Sequence, residues 1–383
     1  MADTVQRILL LDSELSFRGS SLLTLRLARG LEKREIDSAL LCTGVGPLDE
    51  NQLKGVRLHC ISGYTIPVWG QVVLRTLYRD MQKEPPDVIH AQDYRLLPQA
   101  GWFADRLQRP VVVTVSDHSE AAALNLRSVT PWLKAIISVS ESVQNQIAPH
   151  PRLGEIEQRV ILPGVAVPEE GAIRQPMDSP SEPVIGMAGP LEVVKGASFF
   201  LRACHRLVES GHDIRIILAG SGPEERSLRN LASSLELSRR LTFVDGSVSM
   251  RAYLSAMDIF CLPSLQQGFG VMMLEAMALG RPVIASGVGG VVTVIEDGVN
   301  GLFVPPSDSR SLADKISELL KDPDRAREIG HAGQMRVTER FNENRMLDEI
   351  IQLYCEVSSP PSRRTATLPL PTVKPSTVSG SAR

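Results

Sequence analysis

The sequence predicts an α/β protein made of two Rossmann-like domains, each a doubly wound parallel sheet, that face each other across a cleft. Three observations support this prediction: a length of 383 residues with 43% hydrophobic content, short apolar runs that alternate with amphipathic stretches, and a break in that alternation near mid-chain. Such a length is typical of two domains, and the hydrophobic content is enough for two cores. Strands buried on both faces of a parallel sheet read as nearly continuous apolar runs.

The first half of the chain contains a regular series of predicted strands. Helix-like stretches at residues 20–33 and 98–107 separate some of them, as in β-α-β units. We therefore assign residues 1–167 to an N-terminal Rossmann-like domain. Its predicted strands lie at residues 7–11, 36–42, 56–61, 87–92, 110–116, 135–140 and 159–163.

Residues 168–183 interrupt the pattern. They are rich in proline, glutamate, glycine and serine and have no hydrophobic periodicity, so we expect a linker there. A second alternating series follows, and we expect residues 184–340 to form a C-terminal Rossmann-like domain. Its predicted strands lie at residues 184–189, 214–220, 241–245, 259–263, 282–286 and 302–305.

The end of the chain has a different character. We expect residues 341–357 to form a helix that packs back toward the N-terminal domain. Residues 358–383 are rich in proline, serine and threonine. Such a segment cannot bury enough apolar surface to offset its ordering entropy, so we expect a disordered tail.

Charge and hydropathy exclude several classes of protein. Lys plus Arg number 41 against 44 Asp plus Glu, a net charge of -3, which lacks the basic excess of a nucleic-acid-binding protein. No apolar run reaches the roughly 18 residues of a membrane span, and the chain begins with a strand-like block instead of a signal-peptide core. We therefore expect a cytoplasmic protein.

The most informative motif is the segment 263–280, in which a predicted strand ends, a glycine turn follows and a helix begins. Unpaired N–H groups at a helix N-terminus attract anions, and Gly268 and Gly270 allow close approach to the backbone. The segment is a candidate phosphate cradle, although a turn with only a packing role has the same pattern. Glu275, on an otherwise apolar helix, is either a structural cap or a ligand for hydroxyl groups.

Two further loops follow predicted strands of the same domain. Lys195, at the end of the segment 189–196, could direct its ammonium group at a diphosphate, and Gly-Ser-Gly-Pro at 220–223 opens a helix with a proline. Either feature alone also fits a purely structural role. Because the carboxyl ends of parallel strands share one edge of the sheet, we expect these loops to meet at the cleft.

Together these motifs closely resemble the donor-site region of family 4 glycosyltransferases. The resemblance is strong over residues 184–355 and weaker before them. It implies the GT-B fold, a nucleotide-sugar donor, transfer to an acceptor hydroxyl with retention of anomeric configuration, and no metal or other cofactor. The motifs that carry it are Lys-Gly at 195–196, Gly-Ser-Gly-Pro at 220–223, Asp-Ile-Phe-Cys-Leu-Pro-Ser at 258–264, Gly-Phe-Gly at 268–270, Leu-Glu-Ala-Met at 274–277, Gly-Arg-Pro-Val-Ile-Ala at 280–285 and Gly-Gly at 289–290.

The resemblance also implies roles for individual residues. Lys195 would bind the donor diphosphate and Glu275 the ribose hydroxyls, and with Gln267 they are the predicted catalytic residues. The predicted donor-binding residues are Gly19, Gly189, Val248, Gly268, Phe269, Gly270 and Val271.

The sequence departs from the family pattern at several positions. Exchanging a carboxylate for an amide at a sugar hydroxyl costs about 1–2 kcal/mol, whereas losing a cation beside the leaving diphosphate costs about 3–4 kcal/mol. The missing arginine is therefore the more serious departure. The family usually has glutamate at Gln267, arginine at Pro190, glutamate at Thr293, histidine at Ser116 and Gly-Gly at Arg18-Gly19.

The candidates for the acceptor side are Arg18, Ser116 and His118. Arg18 could supply the missing cation if it faces the cleft, and His118 could replace the family histidine from a position two residues later. The acceptor itself, whether a glycan, a lipid-linked sugar or a small molecule, stays open.

Alternative functions also stay open. One is a catalytically impaired family member that binds nucleotide or sugar as a regulatory or assembly subunit, and another is a GT-B epimerase or phosphorylase. Asp322-Pro323-Asp324 has the spacing of a metal-binding motif, but it separates two helical segments, so helix capping is favoured and no metal site is predicted. The amphipathic segment 68–83 is more typical of an exposed helix face than of peripheral contact with the inner face of a membrane, the alternative.

Overall fold

The computed structural model describes residues 5–358, apart from residues 17, 47, 49, 62–68, 127–128, 130, 151–152, 155, 169–173 and 179–181. Within this part of the chain, two parallel sheets alternate with helices. The two doubly wound sheets predicted from the sequence are confirmed.

The N-terminal sheet forms from the first series of apolar runs. Its strands are β1 (Arg7–Leu11), β3 (Asp37–Cys42), β5 (Leu58–Cys60), β6 (Val88–Ala91), β7 (Val111–Val115), β8 (Leu133–Ser138) and β9 (Glu157–Val160), and the short strands β2 (Glu14–Leu15) and β4 (Gly44–Val45) pair separately. The order in the sheet is β5-β3-β1-β6-β7-β8-β9, and the strand pairs are parallel. Its central strands are buried on both faces, which explains their continuous apolarity.

The C-terminal sheet has the order β12-β11-β10-β13-β14-β15, again with parallel pairs. The order reverses between β10 and β13, and in open α/β sheets ligands bind at such a switch point. The strands are β10 (Val184–Ala188), β11 (Arg215–Ala219), β12 (Leu241–Val244), β13 (Ile259–Leu262), β14 (Val283–Ser286) and β15 (Leu302–Val304).

The helices occupy the segments between the strands and the end of the described chain. In the first half they are α1 (Gly19–Lys33), α2 (Trp69–Met81), α3 (Leu97–Leu107), α4 (His118–Ala123) and α5 (Glu141–Ile147). In the second half they are α6 (Ala197–Glu209), α7 (Glu225–Ser234), α8 (Met250–Ala256), α9 (Val271–Ala278), α10 (Val291–Val294), α11 (Ser309–Lys321), α12 (Pro323–Arg340) and α13 (Glu343–Ser358).

Helix α13 follows the C-terminal domain in sequence but packs on the N-terminal one. The chain crosses over at Asn342, which forms a backbone bridge with Val165, and Glu343 donates its N–H to the Val165 carbonyl at 3.0 Å. Gly30 of α1 leaves space for Leu347, because a Cβ there would lie 2.3 Å from a Leu347 methyl group. The last helix therefore ties the two domains together at the side where the chain crosses between them.

Three other expectations concern segments at the margins. Asp322 accepts a hydrogen bond from the Arg325 N–H at 3.0 Å, so the predicted capping role is confirmed. Part of the expected linker contacts the C-terminal domain, since the Met177 N–H and the Arg174 guanidinium both donate to Asp258 at 2.7 Å. The tail beyond Ser358 lies outside the described residues.

Helix α2 accounts for the amphipathic segment. Leu74 is buried and Leu77 is partly buried against the domain core, whereas Arg75, Arg79 and Lys83 are exposed. Its apolar side is thus covered by the protein, and the exposed side is cationic. Among the described helices, we find none with the length and apolarity needed to cross a membrane.

A buried histidine connects α13 to the N-terminal sheet. His90 Nδ1 lies 2.5 Å from the Tyr354 hydroxyl and Nε2 lies 2.8 Å from Thr114 Oγ1. Burial lowers the pKa of His90 to about 3, so the ring stays neutral in the folded protein. The ring therefore cannot take up a proton at mildly acidic pH without loss of packing.

We predict that acid destabilises the fold through His90. In the unfolded chain the His90 ring takes up a proton near pH 6.5, whereas in the folded chain it does so only near pH 3. The free energy of unfolding therefore falls as pH falls through this window. Between pH 7 and pH 5 this loss should be about 2 kcal/mol, measured by urea unfolding. His90→Gln keeps a polar amide but does not titrate and should show that much less pH dependence; equal dependence in both proteins would contradict the prediction.

Candidate functional site

The candidate site is a cavity of about 760 Å³ between the carboxyl ends of the two sheets. Loops after β1, β6 and β7 line its N-terminal side, and loops after β10 and β13 line the other side. A volume of this size suits a small-molecule ligand, and the position is where open parallel sheets bind ligands.

The turn after β13 forms the floor of the cavity on the C-terminal side. Gly270 has φ +106° and immediately precedes α9, whose residues 271–278 are buried throughout. Gly268 approaches the opposite domain so closely that a Cβ there would lie 2.1 Å from the Ser116 carbonyl oxygen. The glycines are therefore required by backbone geometry, and they bring the unpaired N–H groups of a helix N-terminus to the cavity.

Lys195 and Gln267 meet in this cavity, as the sequence predicts. Lys195 Nζ donates to Gln267 Oε1 at 3.1 Å, and Ser264 Oγ donates to the same oxygen at 3.1 Å. These contacts fix the amide with its oxygen toward the lysine. Burial lowers the pKa of Lys195, an effect opposed by the nearby carboxylates of Asp117 and Glu192.

Arg18 crosses the cleft. Its guanidinium pairs with Glu192 Oε1 at 2.6 Å, on the loop that also carries Pro190 and Lys195. The side chain of Arg18 is half exposed and lines the cavity. A cation from the N-terminal domain thus lies beside the loop in which the expected arginine is replaced by proline.

Glu275 lies in a different place from the other two predicted catalytic residues. It forms an ion pair with Arg26 of α1 and lines a second cavity, of about 370 Å³, between the domains. In the described part of the chain, it does not line the larger cavity with Lys195 and Gln267. The sequence expected these three side chains to form one site, and the structure separates Glu275 from the pair.

The remaining predicted donor residues divide between the two cavities. Gly19, Gly189 and the segment 268–271 line the larger cavity. A Cβ on Gly19 would lie 3.0 Å from Val271 Cβ, so α1 and α9 touch at their N-terminal ends. Val248 is 43% exposed and lines neither cavity, although the next residue, Ser249, lines the smaller one.

His118 faces the C-terminal domain from the start of α4, where its Cε1 would lie 3.5 Å from a Cβ on Gly289. Asp117 caps α4 by accepting hydrogen bonds from the Ser119 and Glu120 N–H groups, so the helix begins at His118. His118 Nε2 then lies 2.8 Å from Ser142 Oγ and the ring is not among the described groups that line the cavity. Ser116 does line it, with Asp117 and Glu120 beside it.

The N-terminal side of the cavity carries carboxyl groups that sequence reasoning missed. Glu120 Oε2 accepts from the Ser116 N–H at 2.6 Å, and Asp12 accepts from Thr24 Oγ1 at 2.8 Å. Burial raises the pKa of Glu120 to about 8 and that of Asp12 to about 6, with nearby carboxylates adding to both shifts. The available signal was positional, because Asp12, Asp93 and Asp117 each follow a predicted strand.

Comparison with known proteins gives consistent matches in both halves of the chain. Residues 17–167 match the family model described as Glycosyltransferase Family 4, and residues 182–322 match the model described as Glycosyl transferases group 1. The alpha-maltose-1-phosphate synthase of Mycolicibacterium smegmatis is 28% identical over 61% of this chain and 66% of its own length. The D-inositol 3-phosphate glycosyltransferase of Nocardia farcinica is 30% identical over 64% of this chain and 61% of its own length. These matches span less than two thirds of either relative.

Solved structures resemble nearly the whole described fold. The Anabaena protein HepE in complex with UDP and glucose superposes with a TM-score of 0.77 at 20% identity, covering 92% of this chain and 100% of that one. The sucrose-phosphate synthase of Thermosynechococcus elongatus gives a TM-score of 0.73 at 21% identity, covering 92% and 98%. At these identities the likeness establishes the two-domain fold.

Proposed function

The chain belongs to glycosyltransferase family 4 and has the GT-B fold, and from this premise we propose that it transfers a sugar from a nucleotide sugar to an acceptor hydroxyl, with retention of anomeric configuration. The observation that carries the proposal is the junction of Lys195, Gln267 and the glycine turn before α9 in one cavity. Such a junction offers a cation, an amide and helix N–H groups to one ligand.

The donor diphosphate would lie at the N-terminal end of α9. Lys195 Nζ and the N–H groups of the turn supply positive charge there, and Arg18 lies across the cleft. We propose that these groups stabilise the leaving diphosphate without a metal ion. Gln267 would contact a hydroxyl of the sugar, because its oxygen is already occupied by Lys195 and Ser264 and its NH₂ group can donate.

A regulatory, non-catalytic role is the second candidate, and the departures at Pro190 and Gln267 favour it. The position of Arg18 argues for an enzyme, because its charge lies beside the loop that lacks the arginine. Replacing one preorganised cation by another retains electrostatic stabilisation of the diphosphate, although the ion pair with Glu192 neutralises part of the charge of Arg18. Transfer activity therefore remains compatible with both substitutions.

We propose that the protein acts in the cytoplasm. Any peripheral membrane contact would use the exposed cations Arg75 and Arg79 of α2 and Lys83 just after it, since the opposite side of that helix packs on the domain core.

The first prediction from this proposal concerns Lys195. Incubation with UDP-, GDP- and ADP-sugars without metal should release the nucleoside diphosphate from one of them, with water taking the sugar where no acceptor is supplied. Lys195→Ala should slow that release by about 100-fold, since one electrostatic stabiliser of the leaving group is worth about 3 kcal/mol. Lys321→Ala, at an exposed position of the same domain, should have no effect. No release from any donor by the unmodified protein would refute the enzymatic proposal.

The second prediction separates a slowed enzyme from a binding protein. Gln267→Glu should raise the rate of sugar transfer about tenfold with little change in nucleoside-diphosphate affinity, because a carboxylate accepts a charge-assisted hydrogen bond from a sugar hydroxyl in place of the neutral bond that the amide NH₂ donates. Gln266→Glu introduces the same charge at the neighbouring, exposed position and serves as the control. If Gln267→Glu and Pro190→Arg, alone or combined, bind nucleotide but never release it from a donor, the non-catalytic role is correct.

The charged groups on the N-terminal side of the larger cavity indicate which class of acceptor can bind there. Arg95 is neutralised by Asp93, to which its Nε donates at 2.8 Å, and Arg18 is paired with Glu192. The carboxyl groups that line this side are Asp12, Glu14, Asp93, Asp117 and Glu120. We propose that the acceptor carries no phosphate and bears hydroxyl or amine groups, because like charges brought together across an interface cost several kcal/mol.

This acceptor class can be tested with three matched sugars. Donor turnover should be stimulated by D-glucosamine and D-glucose at least tenfold more than by D-glucose 6-phosphate. Asp117→Asn combined with Glu120→Gln should narrow this difference, whereas Glu224→Gln, outside the described lining of the cavity, should leave it unchanged. Stronger stimulation by the phosphate ester would show that the acceptor is anionic.

A further inference from the structure

The ion pair between Arg26 and Glu275 joins α1 of one domain to α9 of the other. The side chains are only 6% and 10% exposed. Among the described residues, Arg26 is the one polar partner recorded for the Glu275 carboxylate. Arg26 also donates to the Gly164 carbonyl at 3.4 Å. A buried carboxylate with a single cationic partner is stable only while that partner, or a replacement for it, is present.

The ion pair between Arg26 and Glu275 lies on the path that a bound nucleotide sugar would take. The contact between Gly19 and Val271 lies at the N-terminal ends of α1 and α9, and Glu275 lies about one turn further along α9, facing the smaller cavity. A nucleotide sugar that extends from the glycine turn toward Glu275 must pass between the two helices. Arg26 pairs with Oε1 of the Glu275 carboxylate, the group that we expect the ribose hydroxyls to bind.

A second carboxylate in the smaller cavity offers Arg26 another partner. Glu343, at the start of α13, lines this cavity with Arg26. Burial lowers the pKa of Arg26 to about 10, and the charge of Glu343 opposes this lowering whereas that of Arg29 adds to it. Arg26 can therefore leave Glu275 without being stranded as an unpaired buried charge. The two possible partners of Arg26 belong to different domains: Glu275 lies on α9 of the C-terminal domain, and Glu343 lies on α13, which packs on the N-terminal domain.

We propose that Arg26 is a positioning residue that competes with the donor ribose for Glu275, and that donor binding transfers Arg26 from Glu275 to Glu343. The inference rests on the proposed function, in which Glu275 binds the ribose. The donor-free protein is then held in a paired state that does not accept nucleotide. The measured affinity for nucleotide is reduced by the fraction of molecules in that state.

The competition predicts opposite effects for two substitutions. If nine tenths of the donor-free protein is paired, Arg26→Gln should tighten binding of the nucleoside diphosphate about tenfold, since the whole population becomes competent. Glu343→Gln removes the alternative partner and should weaken binding about threefold. Simple structural damage would weaken binding in both variants.

Isothermal titration with UDP, GDP and ADP tests the proposal on the full chain. Arg202→Gln removes an exposed arginine of α6, outside the described lining of both cavities, and as the control should bind within about twofold of the unmodified protein. In a Glu275→Gln background, Arg26→Gln should give no gain, because the contested carboxylate is gone.

The results of these titrations either support or overturn the competition for Glu275. Tighter binding in Arg26→Gln, weaker binding in Glu343→Gln and no gain in the double variant support the competition. Unchanged or weaker binding in folded Arg26→Gln, or an equal gain without Glu275, overturns it while the proposed function stands. Should Arg26→Gln fail to fold, unaltered binding in Glu343→Gln overturns it. If the unmodified protein binds none of the three diphosphates, both the inference and the proposed function fall.

Discussion

The close contact between the glycine turn at Gly268 and the carbonyl of Ser116 is the constraint on which the rest of the site depends. No side chain fits between these backbones, so the loops after β7 and β13 can meet only with glycine at this position. That meeting brings Asp117 near Lys195 at the larger cavity. The same approach brings the N-terminal ends of α1 and α9 together and buries the pair between Arg26 and Glu275. The contact between the two domains therefore also determines how the charged groups of the cleft are arranged.

The connection behind the cleft determines how the domains can move. The linker connects the N-terminal sheet to the C-terminal one, and at Asn342 the chain returns to the N-terminal domain as α13 and is hydrogen-bonded to Val165. Because α13 packs on α1, the helix that carries Arg26 is braced by the last element of the chain. A rotation at the crossover would separate the Gly268 contact while leaving α13 on α1. Hinge motion of this type needs few residues to change conformation.

The sequence predicted the strands of the two large sheets and the loops of the cleft, because buried parallel strands and helix-opening glycine turns leave strong local patterns. It did not predict the short strands β2 and β4. It also brought Lys195 and Gln267 together correctly. The structure places His118 at the first position of α4, because Asp117 caps that helix, and the ring contacts Ser142 instead of lining the larger cavity. The pattern Asp-x-x-Glu at 117–120 signals such a helix start and was the missing clue. No local pattern could reveal the pairing of Arg26 with Glu275, since it depends on how two separately folded domains meet.

The distribution of charge across the cleft gives the site a direction. The donor side combines Lys195 with a helix N-terminus, whereas the opposite side gathers buried carboxyl groups. A ligand that is anionic at one end and neutral or cationic at the other is favoured in one direction, because reversal would bring a diphosphate against the Asp117 carboxylate and take it away from Lys195. The raised pKa of Glu120 reflects both its burial and its carboxylate neighbours, and those neighbours also repel an anionic acceptor. Orientation of both substrates thus follows from the same electrostatic field, before any contact specific to a sugar is made.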